Sequence, residues 1–433
     1  MDPVTIFIIV VCGFAFLLIF GAPIFAALGL SSVLGILLHS GFNGLQAIAP
    51  TLQRGMASYS LIAIPLFILM GEVIARTSIG GRLYQLFYLL VGRMPGGLAV
   101  ASIGSSAVFG AMSGVSVAGA ATIGRFAIPE MLKRGYSPGL SGGTIASAGA
   151  LALLIPPSIG FVLYGEMAEQ SIGKLFIAAL IPALLVVCLM ASYVVGVGLL
   201  RPDLAPRNLV SFTRKELLKT LRDIWAGVLL IFLVIGSIYL GIATPTEAAG
   251  LGAAGGLVIA FLFKELDLKK LVLILRSTSV TSGMILLILA SALLFGYITT
   301  RLMIPQKLVS AIAGSGFSPV VILIFILIFL LFVGMFLDIV SLILITTPIL
   351  IPIITTIGYD PVWFGIIMII ACEVAVITPP VGLNLYVIKG IAPQISLKDI
   401  TLGALPFVGL QMLAIVILTL FPELVLWLPQ VMR

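Results

Sequence analysis

Charge is what this sequence has least of. Only 9% of its 433 residues are charged, while 61% are apolar. A soluble domain carries about 25% charged residues, so the balance excludes a water-soluble fold. Histidine is nearly absent: His39 stands alone behind an apolar segment and reads as interfacial rather than as a metal ligand. Cysteine is scarce as well. Cys12, Cys188 and Cys372 lie in apolar runs at no ligand spacing and read as small core residues. No G-x-x-x-x-G-K-[ST] phosphate loop occurs, which argues against direct ATP drive by this chain. GLSGG at 139–143 matches the letters of a nucleophile elbow, but it opens an apolar helix with no preceding strand and no histidine in reach. An enzyme, or a chain with an organic cofactor, has no recognisable cluster to rest on.

What is present is apolar length. Many windows of 18 or more residues have few or no charges, and each is a spanning candidate. The fold class expected is an all-α polytopic membrane protein in a lipid bilayer. The net charge of +7 therefore does not imply nucleic acid, because in such a chain the placement of the basic residues matters. The N-terminus lacks a basic leader region and a convincing cleavage site, so it reads as a retained helix. Two apolar runs between 4 and 38, split at Gly21 and Pro23, are two spans or one bent one. Further spans are expected at 57–75, 172–200, 224–242, 247–263, 277–300 and about 400–427, and 40–56 reads as interfacial. Residues 201–223 hold six Lys/Arg and read as an amphipathic linker lying on the membrane surface. Glu166, Glu169, Glu247 and Glu423 fall near the ends of expected helices and read as wetted.

One stretch occurs twice. Residues 128–157 and 351–380 align without gaps at an offset of 223, with ten identities in thirty positions: Ile128, Pro129, Gly135, Tyr136, Pro138, Gly142, Ala148, Ala152, Pro156 and Pro157. Each copy is an apolar run broken by a double proline, giving broken helices at 140–165 and 361–390. Proline removes an N–H donor and frees carbonyls of the preceding turn. Ahead of each break stands a hairpin candidate. In 95–134 two legs flank the small-residue tip GAMSGVSVAGA, with Arg93 at one end and Lys133 and Arg134 at the other. In 318–357 the tip lies near Gly334 and Asp338. Matching basic flanks make the first hairpin re-entrant, and non-helical backbone at that depth must be buried in protein or line a cavity.

Orientation follows from the basic residues. With 201–223 cytoplasmic and hairpins counted as zero crossings, most of the 23 Lys/Arg fall on the cytoplasmic side. Arg54, Lys174, Arg301, Lys307 and Arg433 fall outside, and Arg125 lies within a hairpin. Five crossings separate the start of one unit from the start of the other, so the repeat is expected to be inverted. The division read from this is 1–56 scaffold, 57–200 first repeat, 201–276 linker and scaffold, and 277–433 second repeat with the C-terminal helix.

A broken helix offers loose carbonyls, which suit hard cations, and a half-helix N-terminus, which suits carboxylates. Two cation sites flanking one solute site are therefore expected. The first would use Ser113, Gly114 and Ser116 against Pro156, Pro157 and Ser158. The second would use Gly334 and Asp338 against Thr378, Pro379, Gly382 and Asn384. Ser113, Ser116, Pro157 and Asn384 would face the solute. Each has a plainer reading: the serines as small packing residues, and Asp338 as the N-cap of a helix over 339–357. Glu373 is suspect as an ionisable group deep in the second broken helix, and equally a structural hydrogen-bond partner. Arg125 is a candidate solute contact, or a snorkelling or ion-paired residue.

SGVSVAGAATIG at 113–124, LIPPSIG at 154–160, GMFLDIVSLILITTPILIPI at 334–353 and ITPPVGLNLYV at 377–387 resemble the large membrane subunit of the tripartite ATP-independent periplasmic (TRAP) transporters. The resemblance runs over essentially the whole chain. It implies the elevator fold of the ion transporter superfamily, in a bacterial inner membrane. It implies sodium as the coupling ion and uptake of an organic acid anion such as a C4-dicarboxylate, sialic acid or another sugar acid. It implies two partners, a small membrane subunit and a periplasmic substrate-binding protein. Where the family's first tip often has further polar residues, this chain has Val115 and Val117, which shifts weight onto backbone oxygens. The alternatives are a stand-alone carboxylate carrier or antiporter, which would need no binding protein, and a passive channel, which would show uncoupled flux.

Overall fold

The computed structural model describes residues 1–207, 214–314 and 316–432, and among these every regular element is helical. Helices α1 (Pro3–Ile19) and α2 (Ile24–Ser40) pack on each other. The bend between them is set by Gly21 at φ 82 and by Pro23, so 4–38 forms two helices. A short 3-10 turn and α3 (Ile48–Met56) meet the segment Tyr59–Ala75, which contains α4 (Ala63–Ala75), at 64°. Next comes α5 (Ile79–Val91), a helix the apolar pattern does not announce. The rest of the first repeat follows: α6 (Gly97–Ser113), α7 (Ser116–Lys133), α8 (Pro138–Ala150), α9 (Ile159–Met167) and α10 (Ile172–Leu200).

Within 201–223 the structure describes α11 (Arg214–Asp223); 208–213 lie outside the described residues. Then come α12 (Trp225–Ile231), a π turn, α13 (Ser237–Tyr239) and α14 (Pro245–Leu262). Glu247 is more than wetted: it closes a capping box, accepting at 2.8 Å from the Thr244 amide and from its hydroxyl. Helix α15 (Leu268–Arg301) has 34 residues and begins well before the expected span at 277–300, so it includes Lys269, Lys270 and Arg276. A further unannounced helix, α16 (Ile304–Ala313), leads into the second repeat: α17 (Pro319–Gly334), α18 (Ile339–Thr356), α19 (Pro361–Val376), α20 (Leu383–Ile391) and α21 (Leu397–Leu420). The last expected span ends at Leu420, and α22 (Glu423–Val431) is separate beyond Pro422. Among the described residues five helices are long and apolar enough to cross a membrane, six if the bent pair is one span.

The offset of 223 is visible in the backbone. Gly135 and Gly358 both take positive φ, at 80° and 89°, to end a helix. Ser137 and Asp360, two residues on, cap the next helices with their side chains. Pro156–Pro157 and Pro379–Pro380 are both cis, and each break is followed by a nine-residue helix. The same local chemistry therefore builds the same helix–tip–helix–break unit twice.

The two units join through small residues. Helix α21 crosses α8 so closely that a Cβ on Gly403 would fall 1.8 Å from the Gly139 carbonyl oxygen. One on Gly143 would fall 2.1 Å from the Gly403 carbonyl carbon. Small residues let backbones approach where lipid gives no hydrophobic drive for association. Large buried rings also tie helices together: the Tyr164 hydroxyl donates to the Pro361 carbonyl at 2.6 Å, and Trp363 Nε1 donates to the Leu418 carbonyl at 2.9 Å. Outward-facing Phe261, Val280, Phe325 and Ile328 leave an apolar surface suited to lipid. Gly403→Ala should therefore destabilise the fold by about 1–3 kcal/mol through overpacking. Thermal unfolding of detergent-purified protein checks this, with Gly409→Ala, where added bulk meets nothing within 4 Å, as the silent control.

Candidate transport site

The first tip consists of two residues. Helix α6 ends at Ser113, Gly114 turns left-handed at φ 61, and extended Val115 leads into α7. A side chain at Gly114 would be strained, and its Cβ would lie 2.8 Å from the Pro157 carbonyl oxygen. The tip therefore rests directly on the first break. The α4 backbone approaches from the other side: a Cβ on Gly71 would lie 2.7 Å from the Ser113 carbonyl oxygen.

At the break, α8 gives way to one 3-10 turn, then to Leu154 through Ser158, then to α9. Ser158 is extended at the head of α9 but makes no side-chain cap, although that is its usual use there. Its hydroxyl and that of Ser113 are buried without a partner. So are Ser106 on α6 and Thr144 and Ser147 on α8, which sequence reasoning did not single out. Other buried serines behave differently: Ser102 and Ser105 donate to carbonyls of their own helix, Leu98 at 2.8 Å and Ala101 at 2.7 Å. A buried hydroxyl without a partner costs about 1–3 kcal/mol, so Ser113 and Ser158, on the tip and the break that meet at Gly114 and Pro157, are suited to a water or a cation.

The second pair is built with a charge. Asp338 caps α18: Oδ2 accepts from the Val340 amide at 3.0 Å and the Ser341 amide at 3.3 Å, and Oδ1 accepts from the Ser341 hydroxyl. The plainer reading of Asp338 as an N-cap thus describes its contacts. Tip and break touch here as well: the Val381 amide donates to the Met335 carbonyl at 3.3 Å, and a Cβ on Gly334 would lie 2.7 Å from the Ala375 Cβ. Thr378 donates to the Val374 carbonyl of α19 at 2.6 Å, beside the cis Pro379–Pro380 bond. Gly382, left-handed at φ 50, redirects the chain into α20.

That redirection corrects one expectation. Asn384 does not face Asp338. Helix α20 packs on α7 and α8, so Asn384, fully buried, points into the first repeat. Its Nδ2 donates to the Ser116 hydroxyl and to the Ala146 carbonyl, each at 2.9 Å, and the Ser116 hydroxyl lies 3.2 Å from its Oδ1. Ser116 and Asn384 are thus brought together as a bridge between the repeats. Arg125 lies exposed on α7 with no ion-pair partner among the described residues.

This paired architecture runs through a chain matched, over residues 11–424, by the family model described as "Tripartite ATP-independent periplasmic transporter, DctM component". The chain belongs to that family. It is 35% identical to a C4-dicarboxylate TRAP transporter large permease protein of Vibrio cholerae, over 95% of each chain. It is 30% identical to a sialic acid TRAP transporter large permease protein of the same species, over 96% of this chain and 97% of the other. The crystal structure of the Alcanivorax borkumensis YdaH transporter superposes at a TM-score of 0.62, over 90% of each chain and at 17% identity, a likeness of fold alone. The DctM component is thus a multi-pass membrane transport protein and not an enzyme.

In this DctM chain the Ser116–Asn384 bridge should be cooperative. Ser116→Ala and Asn384→Ala should each destabilise the fold, and the double variant should cost less than their sum by about 1 kcal/mol. Denaturation of the four proteins in detergent measures the coupling.

Proposed function

We propose that this DctM component carries out sodium-coupled uptake of an organic acid anion. The solute would be handed over by a periplasmic substrate-binding protein, with a small membrane subunit as second partner, in a bacterial inner membrane. The observation that carries the proposal is the docking of each hairpin tip on a proline break, at Gly114 against Pro157 and at Val381 against Met335. The names of relatives acting on C4-dicarboxylates and sialic acid support the solute class, and "tripartite" in the family's description supports the two partners.

In this reading the first coupling ion is held at Ser113, Gly114, Ser116, Pro156 and Ser158, where the Ser113 and Ser158 hydroxyls are buried without a partner. The second is held around Gly334, Asp338, Thr378, Pro379 and Gly382, with Asp338 supplying a formal charge beside peptide oxygens. Oxygen donors of this kind match a hard cation. The anion sits between them against Ser113, Ser116, Pro157 and Asn384, near the uncapped amides that begin α9. The repeats at 57–200 and 277–433 are taken as inverted in the membrane and their hairpins as re-entrant; legs of 16 to 18 residues span about 24–27 Å, although α18 is one of the five helices long and apolar enough to cross, so the re-entrant reading rests on the tip–break contacts and not on leg length. Segments 1–56 and 201–276 provide the scaffold against which the hairpin-bearing body moves, and exchange of conformation between two similar units gives alternating access.

The test is uptake into proteoliposomes holding this chain with its small subunit, with the cognate binding protein outside. Uptake should require an inward sodium gradient and the binding protein. Uptake without the binding protein would favour a stand-alone carrier, and flux indifferent to sodium would end the coupled reading. Asp338→Asn retains capping atoms but no charge, and should raise the half-maximal sodium concentration about tenfold. Unchanged sodium dependence in that variant would remove Asp338 from the second site.

A further inference from the structure

The one carboxyl group among the described residues that is wholly buried belongs to Glu373, on α19. Its neighbour across the helix interface is Gln411 on α21, also fully buried. Gln411 Nε2 donates to Glu373 Oε2 at 3.1 Å. The other oxygen of each group, Glu373 Oε1 and Gln411 Oε1, is buried and accepts from nothing. The Leu154 amide lies near the carboxyl, but it donates to the Leu151 carbonyl at 3.1 Å.

No cation neutralises Glu373. None of the salt bridges among the described residues includes it. The helices packed on α19 carry their charges at or near their ends: Asp338 capping α18, Glu166 late in α9, Lys174 early in α10, Lys389 late in α20, Lys398 and Asp399 opening α21, and Glu423 opening α22. On α19 itself Asp360 is the N-cap and Cys372 is the adjacent thiol. An isolated carboxylate in such surroundings is too costly to keep ionised, and a group so placed takes up a proton instead.

One proton resolves both orphaned oxygens at once. A protonated carboxylic acid facing a primary amide forms a two-point pair, in which acid O–H donates to the amide oxygen while amide N–H donates to the acid oxygen. One of those two bonds is already in place. We propose that Glu373 is a proton-binding site, with Oε1–H donating to Gln411 Oε1 and the proton retained throughout the working pH range. Neutral Glu373 then fastens the second broken helix to α21, the helix whose backbone lies on α8 of the first repeat. The proton site stands by itself; its consequence for uptake rests on the proposed function.

Infrared difference spectra of wild type against Glu373→Gln test this directly. A band from a protonated carboxylic acid should appear in the difference from mildly acidic to mildly alkaline pH. Glu373→Gln can form an amide–amide pair of the same two-point shape, so it should keep the wild-type pH profile and sodium dependence of uptake. Glu373→Leu is neutral but cannot bond to Gln411, and should unfold at lower temperature. An absent band, a band that titrates away over that range, loss of uptake in well-expressed Glu373→Gln, or wild-type stability in Glu373→Leu would each overturn the proposal. If wild-type uptake ignores sodium, the transport reading fails while the infrared band still decides the proton site.

Discussion

Peptide groups that no helix can satisfy dominate this structure. Two double prolines interrupt apolar helices, one in each repeat, and remove hydrogen bonds of the flanking turns. Each interruption is answered by a hairpin tip pressed against it. Gly114 lets one backbone reach the Pro157 carbonyl, and the Met335 carbonyl takes the Val381 amide at the other. The remaining helices hold these pieces in register: α4 crowds the first tip at Gly71, and α8 and α21 meet backbone to backbone at Gly139, Gly143 and Gly403.

The two tip–break pairs solve the same problem with different chemistry. The first gathers neutral hydroxyls, several without partners; the second places Asp338 at a helix head where two amides and a hydroxyl already hold it. Ser116 and Asn384 then tie one pair's tip to the other pair's outgoing helix. Each repeat thus supplies part of the other's packing.

Much of this could be read from residue types that constrain the backbone locally. Glycines 135 and 358, the caps Ser137 and Asp360, and the paired prolines fix φ or satisfy amides within a few residues, so the repeat and its breaks stand out in the letters. Asn384 was misplaced because its partners, Ser116 and Ala146, lie 268 and 238 residues away, and only the packing of α20 on the first repeat determines where it turns. Ser106, Thr144 and Ser147 look like any serine or threonine in an apolar helix; whether such a hydroxyl bonds its own helix or faces a cavity depends on its neighbours. Helices α5 and α16 are short and mixed in polarity, 13 and 10 residues, and a pattern tuned to long apolar runs passes over them.

The proposed function puts the coupling ion at the tips and breaks. Amide hydrogen exchange of the purified transporter in lipid nanodiscs, in sodium against an equal concentration of choline, addresses this most directly. Sodium should slow exchange at residues 110–118 with 151–162 and at 333–341 with 374–386, leaving α1, α2 and α14 unchanged. Protection spread evenly over the chain, or absent from both tip–break pairs, would contradict it.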